Sequence, residues 1–220
     1  MSSNEKTFQK RRILSLIIIV FLSIIAVFSN PDSWSKKSPN QQTSQISQDL
    51  NSLQVKGRAP KTGYSREQFG KGWAKDSSGC DTRNRILKRD LKEARENSKC
   101  QIISGILDDP YTGKQIIFSR DKASAVQIDH VVALSDAWQK GAQQISTEER
   151  KQLANDPLNL LASDGSANQQ KGDSDAATWL PSNKVFRCEY IKRQISVKKK
   201  YRLWITQAEK SAMQTVLANC

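Results

Sequence analysis

The chain has 220 residues, with 35 Lys and Arg against 22 Asp and Glu, four Cys and a single His. The net charge of +13 favours a polyanionic partner: nucleic acid, an anionic membrane surface or an anionic cell-wall polymer. A single histidine excludes zinc enzymes with several histidine ligands and phosphotransfer between two histidines. Any imidazole chemistry must therefore use His130.

The N-terminal segment predicts export. Lys10, Arg11 and Arg12 precede an apolar run over residues 13–28 that only two serines interrupt. A basic flank before such a run is typical of a secretory signal or a short membrane anchor, so we expect residues 1–29 to form one or the other. The basic flank places that end in the cytoplasm and the rest of the chain outside. Cleavage and retention both stay open.

Two further regions follow. Residues 30–56 are rich in Ser, Gln, Asn and Lys, and this composition predicts a disordered polar linker. We expect one folded domain over residues 57–220. That domain contains 28 basic and 19 acidic residues, so it carries +9 of the total charge.

Several elements are predicted in the first half of the domain. Residues 82–97 have the apolar spacing of an amphipathic helix. Residues 100–107 and 115–118 are rich in β-forming side chains, and a strong turn signal lies between them. The apolar stretch 126–134 predicts a further strand, which contains Asp129 and His130.

The second half alternates short elements. Ser146 and Glu149 form a capping box that predicts a helix, a brief strand follows over residues 157–162, and a helix is expected around Ala167. Thr206 and Glu209 predict a second capping box before the last helix.

Between Lys184 and Trp204 the chain has eight basic residues and one acid, which we interpret as a nucleic-acid track in preference to a solvated helix face. This order of elements predicts an α+β domain with a small sheet.

The four cysteines lie after the apolar run, and no two of them form a Cys-x-x-Cys pair. This spacing argues against a zinc cluster. In an exported domain four cysteines predict two disulfides, for which three pairings exist. The pairing of sequence neighbours is favoured: Cys80 with Cys100, and Cys188 with Cys220.

One set of polar residues could carry chemistry. Asp129 beside His130 combines a hard oxygen ligand with a base that titrates near neutral pH. Asn159 and Asn168 follow downstream, and Lys171 lies three residues after Asn168, on the same face of a helix. With one histidine, an Asp and Asn oxygen set would suit Mg²⁺ or a similar hard cation.

Three segments, residues 129–134, 155–160 and 168–172, resemble the HNH nucleases of the ββα-metal, or His-Me finger, class. The subgroup that the sequence is most similar to comprises exported, cysteine-containing proteins grouped with the C-terminal HNH domain of modification-dependent restriction enzymes. Further similar segments bring the resemblance to roughly residues 64–220; they are residues 80–84, 109–113, 137–142 and 179–181.

The resemblance implies a ββα-metal core with added helices, and it implies roles for individual residues. His130 would be the general base that takes a proton from water for in-line attack on a phosphodiester. Asn159 would orient the loop that carries this base. Asp129 and Asn168 would hold one divalent ion, Mg²⁺ or Mn²⁺. Lys171 and Arg83 are candidates for phosphate contacts, although each could instead be a solvated charge or part of a structural ion pair.

The expected function is that of an exported or surface-anchored, metal-dependent endonuclease that cleaves DNA, or RNA, with low sequence specificity. We expect a monomer that binds nucleic acid, and also the membrane if the N-terminal segment is uncleaved. Its location would be extracellular, or the outer face of a bacterial cytoplasmic membrane. One alternative is a non-catalytic, membrane-anchored binder of DNA or anionic wall polymer, which predicts loss of the Asp-His-Asn-Asn set. The other is a toxin-like nuclease.

Overall fold

The structure is a computed structural model that describes residues 39–220, with side chains from residue 44 onwards. The predicted signal or anchor over residues 1–29 lies outside the described residues. Among the helices that are described, none has the length and apolar character needed to cross a bilayer.

Helices and two small sheets alternate along the described chain, in agreement with the predicted mixed class. The helices are α1 (Pro39–Ser52), α2 (Thr82–Asp90), α3 (Leu134–Ala137), α4 (Thr147–Asn155), α5 (Gly165–Lys171), α6 (Arg187–Lys200) and α7 (Gln207–Leu217). The strands are β1 (Lys92–Glu96), β2 (Ile102–Asp108), β3 (Gln115–Ser119), β4 (Val126–His130) and β5 (Leu160–Asp164). Short 3₁₀ helices span Arg66–Phe69, Arg120–Lys122 and Lys184–Phe186, and a π-helical turn spans Trp138–Ala142.

The second sheet carries the polar residues of interest. Strands β4 and β5 pair antiparallel, with Val126 opposite Asp164 and His130 opposite Leu160. Helix α5 follows β5 directly and packs on both strands. The connection between the two strands, residues 131–159, contains α3, the π-helical turn and α4. The other sheet is an antiparallel meander in the order β1-β2-β3.

The helix predicted over residues 82–97 is too long. Helix α2 ends at Asp90, and the chain continues as strand β1, in which Lys92 lies opposite Ile106 of β2. Leu91 is buried at the change of direction, with its side chain close to Gly105. Pairing with β2 satisfies the backbone of this segment, and this tertiary constraint overrides its helical periodicity.

The boundary predicted for the linker is also corrected for residues 39–56. Leu50 in helix α1 and Leu53 just after its end are buried, and Ile46 packs against the same core cluster. Ile46 and Leu50 are four residues apart and share one helix face, which a polar average composition conceals. The chain then joins the C-terminal region through two backbone hydrogen bonds of 3.0 Å: the Lys56 amide donates to the Ile205 carbonyl, and the Ile205 amide donates to the Gln54 carbonyl.

Both favoured disulfides are confirmed. Cys80–Cys100 joins the chain just before α2 to the chain just before β2. Cys188–Cys220 joins the C-terminal residue to α6. In the chain-entropy description, closing loops of these lengths stabilises a fold by roughly 3 kcal/mol each.

An ionic network that is buried except at the partly exposed Arg58 connects six parts of the domain. Its members are the cations Arg58, Lys140 and Lys198 and the carboxylates Asp136, Asp175 and Glu209. Lys140, Lys198 and Glu209 are fully buried, so each charge depends on partners of opposite sign. Thr206 caps α7 as predicted, but the Glu209 carboxylate joins this network.

Ion pairs within the protein engage part of the expected basic track between Lys184 and Trp204, whose contact with nucleic acid stays a prediction. Five of its eight cations form ion pairs within the protein: Arg193 with Glu189, Lys198 with Asp136 and Glu209, Lys199 with Asp49, Lys200 with Asp156, and Arg202 with Glu149. This stretch therefore presents less free positive charge than its composition suggests.

Replacement of Gly165 tests the junction between β5 and α5. A Cβ at this position would lie 2.1 Å from the backbone oxygen of Ser124, so Gly165→Ala must displace the start of α5. We expect a loss of about 1–3 kcal/mol or more in the free energy of unfolding, measured by urea titration. Gly57→Ala is the matched control because its Cβ would meet no atom within 4 Å. Equal stabilities of the two variants would contradict the tight junction.

Candidate active site

His130 is the last residue of β4, and its imidazole is buried. Its Nε2 lies 2.9 Å from the carbonyl oxygen of Ala154, at the end of α4. A carbonyl can only accept, so Nε2 carries the hydrogen and Nδ1 of the neutral ring keeps a free lone pair. Trp73 stacks on the imidazole, with 5.6 Å between ring centres and 10° between the planes. The stacking of Trp73 thus holds the orientation of the ring, and the bond to Ala154 selects its tautomer.

Burial lowers the pKa of His130 to about 3. The charges of Arg66 and Lys171 lower it further, while the bond to the Ala154 carbonyl acts in the opposite direction. The imidazole is therefore neutral at pH 7, the state in which it can accept a proton.

Asn159 is fully buried and connects the loop after His130 with helix α4. Its Oδ1 accepts from the Val132 amide at 2.8 Å, and its Nδ2 donates to the carbonyls of Val132 and Leu153, both at 3.3 Å. Leu153 immediately precedes Ala154, whose carbonyl holds the imidazole. The three bonds therefore hold the loop that follows the imidazole and the helix end that accepts its hydrogen.

Asp129 lies beside His130 and is held by two donors. Lys171 Nζ lies 3.0 Å from Oδ1, and the Tyr111 hydroxyl donates to Oδ2 at 2.5 Å. Burial raises the pKa of the Asp129 carboxyl, and the two partners counteract this by stabilising its charged form. Tyr111 reaches Asp129 from the turn between β2 and β3, which is itself anchored where Asp109 accepts from the Asp164 amide.

The two basic residues that were expected to contact phosphate lie in different environments. The Lys171 ammonium is buried and donates to Asp129 and, at 2.9 Å, to the backbone carbonyl of His130. This position corresponds to the structural ion pair that was the alternative for Lys171. Arg83 donates to the carbonyls of Ala123 and Val126, and it also lines an open cavity.

That cavity has a volume of about 460 Å³ and brings together Arg83, Asp129, His130 and Asn168. Asn168, on α5, donates from Nδ2 to Gln127 Oε1 at 2.8 Å, so the carboxamide oxygen of Asn168 stays available as a ligand. Asn159 and Lys171 lie behind the cavity wall. The five motif residues thus divide into three that line the cavity and two that hold them from behind.

Three residues around this cavity were missed by sequence reasoning. Tyr111 lies in a segment that was identified as a turn and as part of the family resemblance, but no role was given to it. Trp73 follows a glycine-rich stretch without a secondary-structure pattern. Arg66 lines the cavity together with His130, and it comes from the short 3₁₀ helix well before the motif. No local signal could have found them, because each reaches the site through tertiary packing.

The oxygen donors of the cavity suit a hydrated divalent cation better than an all-protein metal cage. Among the described residues, no three His, Cys, Asp or Glu side chains converge as they would in an all-protein metal cage. The cavity instead offers the carboxylate of Asp129 with the amide oxygens of Asn168 and Gln127, while its second carboxylate, Asp173, pairs with Lys61. Mg²⁺ is commonly bound through one or two protein oxygens while it keeps several waters and takes phosphate oxygens, so these residues fit it.

The depressed pKa of His130 predicts acid sensitivity. In the unfolded chain the imidazole takes a proton below about pH 6.5, whereas in the folded protein it stays neutral down to about pH 3. The unfolded state is therefore favoured as the pH falls. Between about pH 7 and pH 4 the wild type should lose about 3 kcal/mol more unfolding free energy than His130→Gln, in urea titrations at each pH. Parallel curves would contradict the burial of a neutral imidazole.

The Lys171–Asp129 pair predicts a second effect on stability. Lys171→Met leaves the buried carboxylate with Tyr111 as its remaining side-chain partner, so we expect a loss of about 3–5 kcal/mol. Lys122→Met removes an exposed lysine and should change the stability by less than about 0.5 kcal/mol. Adding Asp129→Asn to Lys171→Met should recover part of the loss, because a neutral amide needs no cation. No recovery would count against charge pairing as the cause.

Comparison with known proteins identifies the family of this chain. Residues 81–216 match the family of GmrSD restriction endonucleases, C-terminal domain. A protein of Arthroderma benhamiae that is described as an uncharacterized secreted protein is 37% identical over 205 residues, which cover 92% of this chain and 98% of that protein. No solved structure matches the chain. The matched region contains Asp129, His130, Asn159 and Asn168, and the chain therefore belongs to the HNH-type family of GmrSD restriction endonuclease C-terminal domains.

Proposed function

We propose that the protein is an exported endonuclease that hydrolyses phosphodiester bonds of DNA, or RNA, with His130 as general base and one divalent cation as cofactor. The observation that carries this proposal is the state of His130. Its imidazole is neutral, its Nε2 is occupied by the Ala154 carbonyl, and its ring lines the same cavity as Asp129 and Asn168. A base, an anionic ligand and an amide ligand within one cavity are the groups that hydrolysis of a phosphodiester requires.

The proton in this reaction moves to Nδ1 of His130. A water in the cavity loses its proton to that lone pair and attacks phosphorus in line, and the bond to the leaving oxygen breaks. Burial disfavours the imidazolium that results, but the negative charge of a bound phosphate offsets this cost. Trp73 and the Ala154 carbonyl keep the ring in one orientation throughout, so that little reorganisation accompanies the transfer.

Asp129 and Asn168 would hold the cation, with Gln127 at the same wall. When bound, a divalent ion neutralises charge on the scissile phosphate and on the leaving oxygen. Lys171 and Tyr111 hold the Asp129 carboxylate in place from the protein interior. In this proposal Lys171 positions a ligand and does not itself contact phosphate, whereas Arg83 contacts phosphate at the cavity wall.

The charge of the folded part supports a nucleic-acid substrate. Residues 57–220 have an excess of nine positive charges, and neutralisation of phosphate requires no reading of bases. This supports low sequence specificity. The intact Asp-His-Asn-Asn set argues against the non-catalytic binder, which needs none of these residues.

Export is supported by two independent features. Both disulfides form between residues of the folded domain, and disulfides are typical of oxidising compartments. The relative from Arthroderma benhamiae is described as secreted. Membrane attachment through residues 1–29, a monomeric state and a bacterial source stay predictions.

The proposal predicts cation-dependent cleavage that His130→Ala abolishes. The purified full-length chain, with disulfides intact, is incubated with supercoiled plasmid or with RNA in the presence of Mg²⁺, Mn²⁺ or EDTA. We expect nicking and linearisation with a divalent ion and none with EDTA. His130→Ala should lower the rate by at least about 10²-fold, because general-base assistance is typically worth 10²–10⁴.

Lys114→Ala is the control, because this exposed lysine lies on the β2–β3 turn and takes no part in the cavity. Its rate should equal that of the wild type. Cleavage at the same rate by His130→Ala, or no cleavage by the wild type with any ion, would overturn the proposal. DNA binding without cleavage would favour the anchored binder.

A further inference from the structure

The wall of the active-site cavity includes a segment that precedes the matched family region. The match begins at residue 81, whereas Tyr64 and Arg66 line the cavity and Trp73 stacks on His130. These residues belong to an irregular stretch whose only described helix is the 3₁₀ turn Arg66–Phe69. The matched family region therefore does not include this side of the site.

Arg66 stands out within that segment by its position. It lines both the large cavity and an adjoining cavity of about 90 Å³, and His130 also lines both. The smaller cavity extends past Phe69, Trp73 and Ala154, on the side where the imidazole is held. A cation at the junction of the two cavities lies where an anionic substrate would meet the base.

Arg66 forms no ion pair with a carboxylate of the cavity, and the acidic residue that its charge affects within its own segment is the exposed Glu67. The Arg66 side chain is exposed, and within the described part of the chain it forms no ion pair or hydrogen bond. The acidic residues of the cavity are already engaged: Asp129 with Lys171, and Asp173 with Lys61 at 3.0 Å. Arg83 donates only to backbone carbonyls, which leave its charge in place. The cavity thus presents two guanidinium groups whose charge no carboxylate of the site neutralises.

The backbone around Arg66 is held in place on both sides. Trp138 donates to the Thr62 carbonyl at 3.2 Å, and Arg150 donates from Nε to the Gln68 carbonyl at 3.0 Å. Phe69 is buried against Trp138, and Tyr64 packs edge-on against the same indole. Because Thr62 and Gln68 flank Arg66, the guanidinium is presented from a rigid support.

We propose that Arg66 binds a phosphate of the nucleic-acid substrate and forms, with Arg83, an arginine clamp across the cavity that contains His130. This inference rests on the proposed function and extends it to a residue outside the matched family region. The guanidinium forms two parallel hydrogen bonds with phosphate oxygens, a geometry that lysine cannot reproduce.

The experiment measures binding separately from cleavage. All variants are made in the full-length His130→Ala chain with EDTA present, and a fluorescein-labelled DNA duplex is titrated across a salt series by anisotropy. Arg66→Gln should weaken binding by about tenfold and reduce the slope of log K against log salt by about 0.9, which corresponds to one phosphate contact. Arg66→Lys should retain the slope and recover only part of the affinity.

Lys71→Gln is the matched control, because this exposed lysine belongs to the same segment and lines neither cavity. It should bind as the parent does. If Arg66→Gln has the affinity and salt slope of Lys71→Gln, the clamp is overturned, even if the wild type cleaves DNA. If the wild type cleaves nothing while Arg66→Gln still reduces the slope, the clamp stands and the nuclease proposal falls. Thermal melting of each variant checks that the fold is intact.

Discussion

The hydrogen bond from His130 Nε2 to the Ala154 carbonyl determines what the site can do. It fixes the tautomer, because the carbonyl accepts and cannot donate, and it leaves Nδ1 as the free base. Burial then keeps the ring neutral. The connection between β4 and β5 supports this bond. Ala154, whose carbonyl accepts from the imidazole, lies in the last turn of α4, and Asn159 joins that turn to the loop after His130. A surface loop of the same length would not hold a carbonyl in place.

Around the imidazole, the protein uses buried charge to position ligands. Lys171 and Tyr111 place the Asp129 carboxylate, and the larger network of Lys140 and Lys198 joins helices that lie behind the cavity. Compared with well-packed apolar residues, a whole buried ion pair adds little stability because desolvation opposes its attraction, whereas loss of one partner leaves a buried charge and is costly. Here the Lys171–Asp129 pair joins helix α5 to strand β4, and the larger network joins the connection between the two strands to the two C-terminal helices.

Much of the fold could be predicted where the signal is local. The β2–β3 turn, the capping box at Ser146 and both disulfides follow from short patterns or from the proximity of cysteines in the sequence. Helix α2 was predicted too long because strand pairing, which is non-local, ends it. Helix α1 was missed because the few apolar side chains that pack on the core, Ile46 and Leu50, are diluted by polar neighbours.

The motif residues of the site could be named from the sequence, but their supports could not. Trp73 contacts His130 and Tyr111 contacts Asp129 only after the chain has folded. The spacing of residues in the sequence therefore does not predict these contacts. The same holds for Lys171, whose proximity to Asn168 suggested a shared face, while its contact with Asp129 depends on how α5 packs against β4.

Because the chain has a single histidine, the protonation state and tautomer of His130 can be measured directly by ¹⁵N NMR of the imidazole between about pH 4 and pH 7. We predict one neutral imidazole with its hydrogen on Nε2 throughout this range; a hydrogen on Nδ1, or an imidazolium at pH 6, would contradict it.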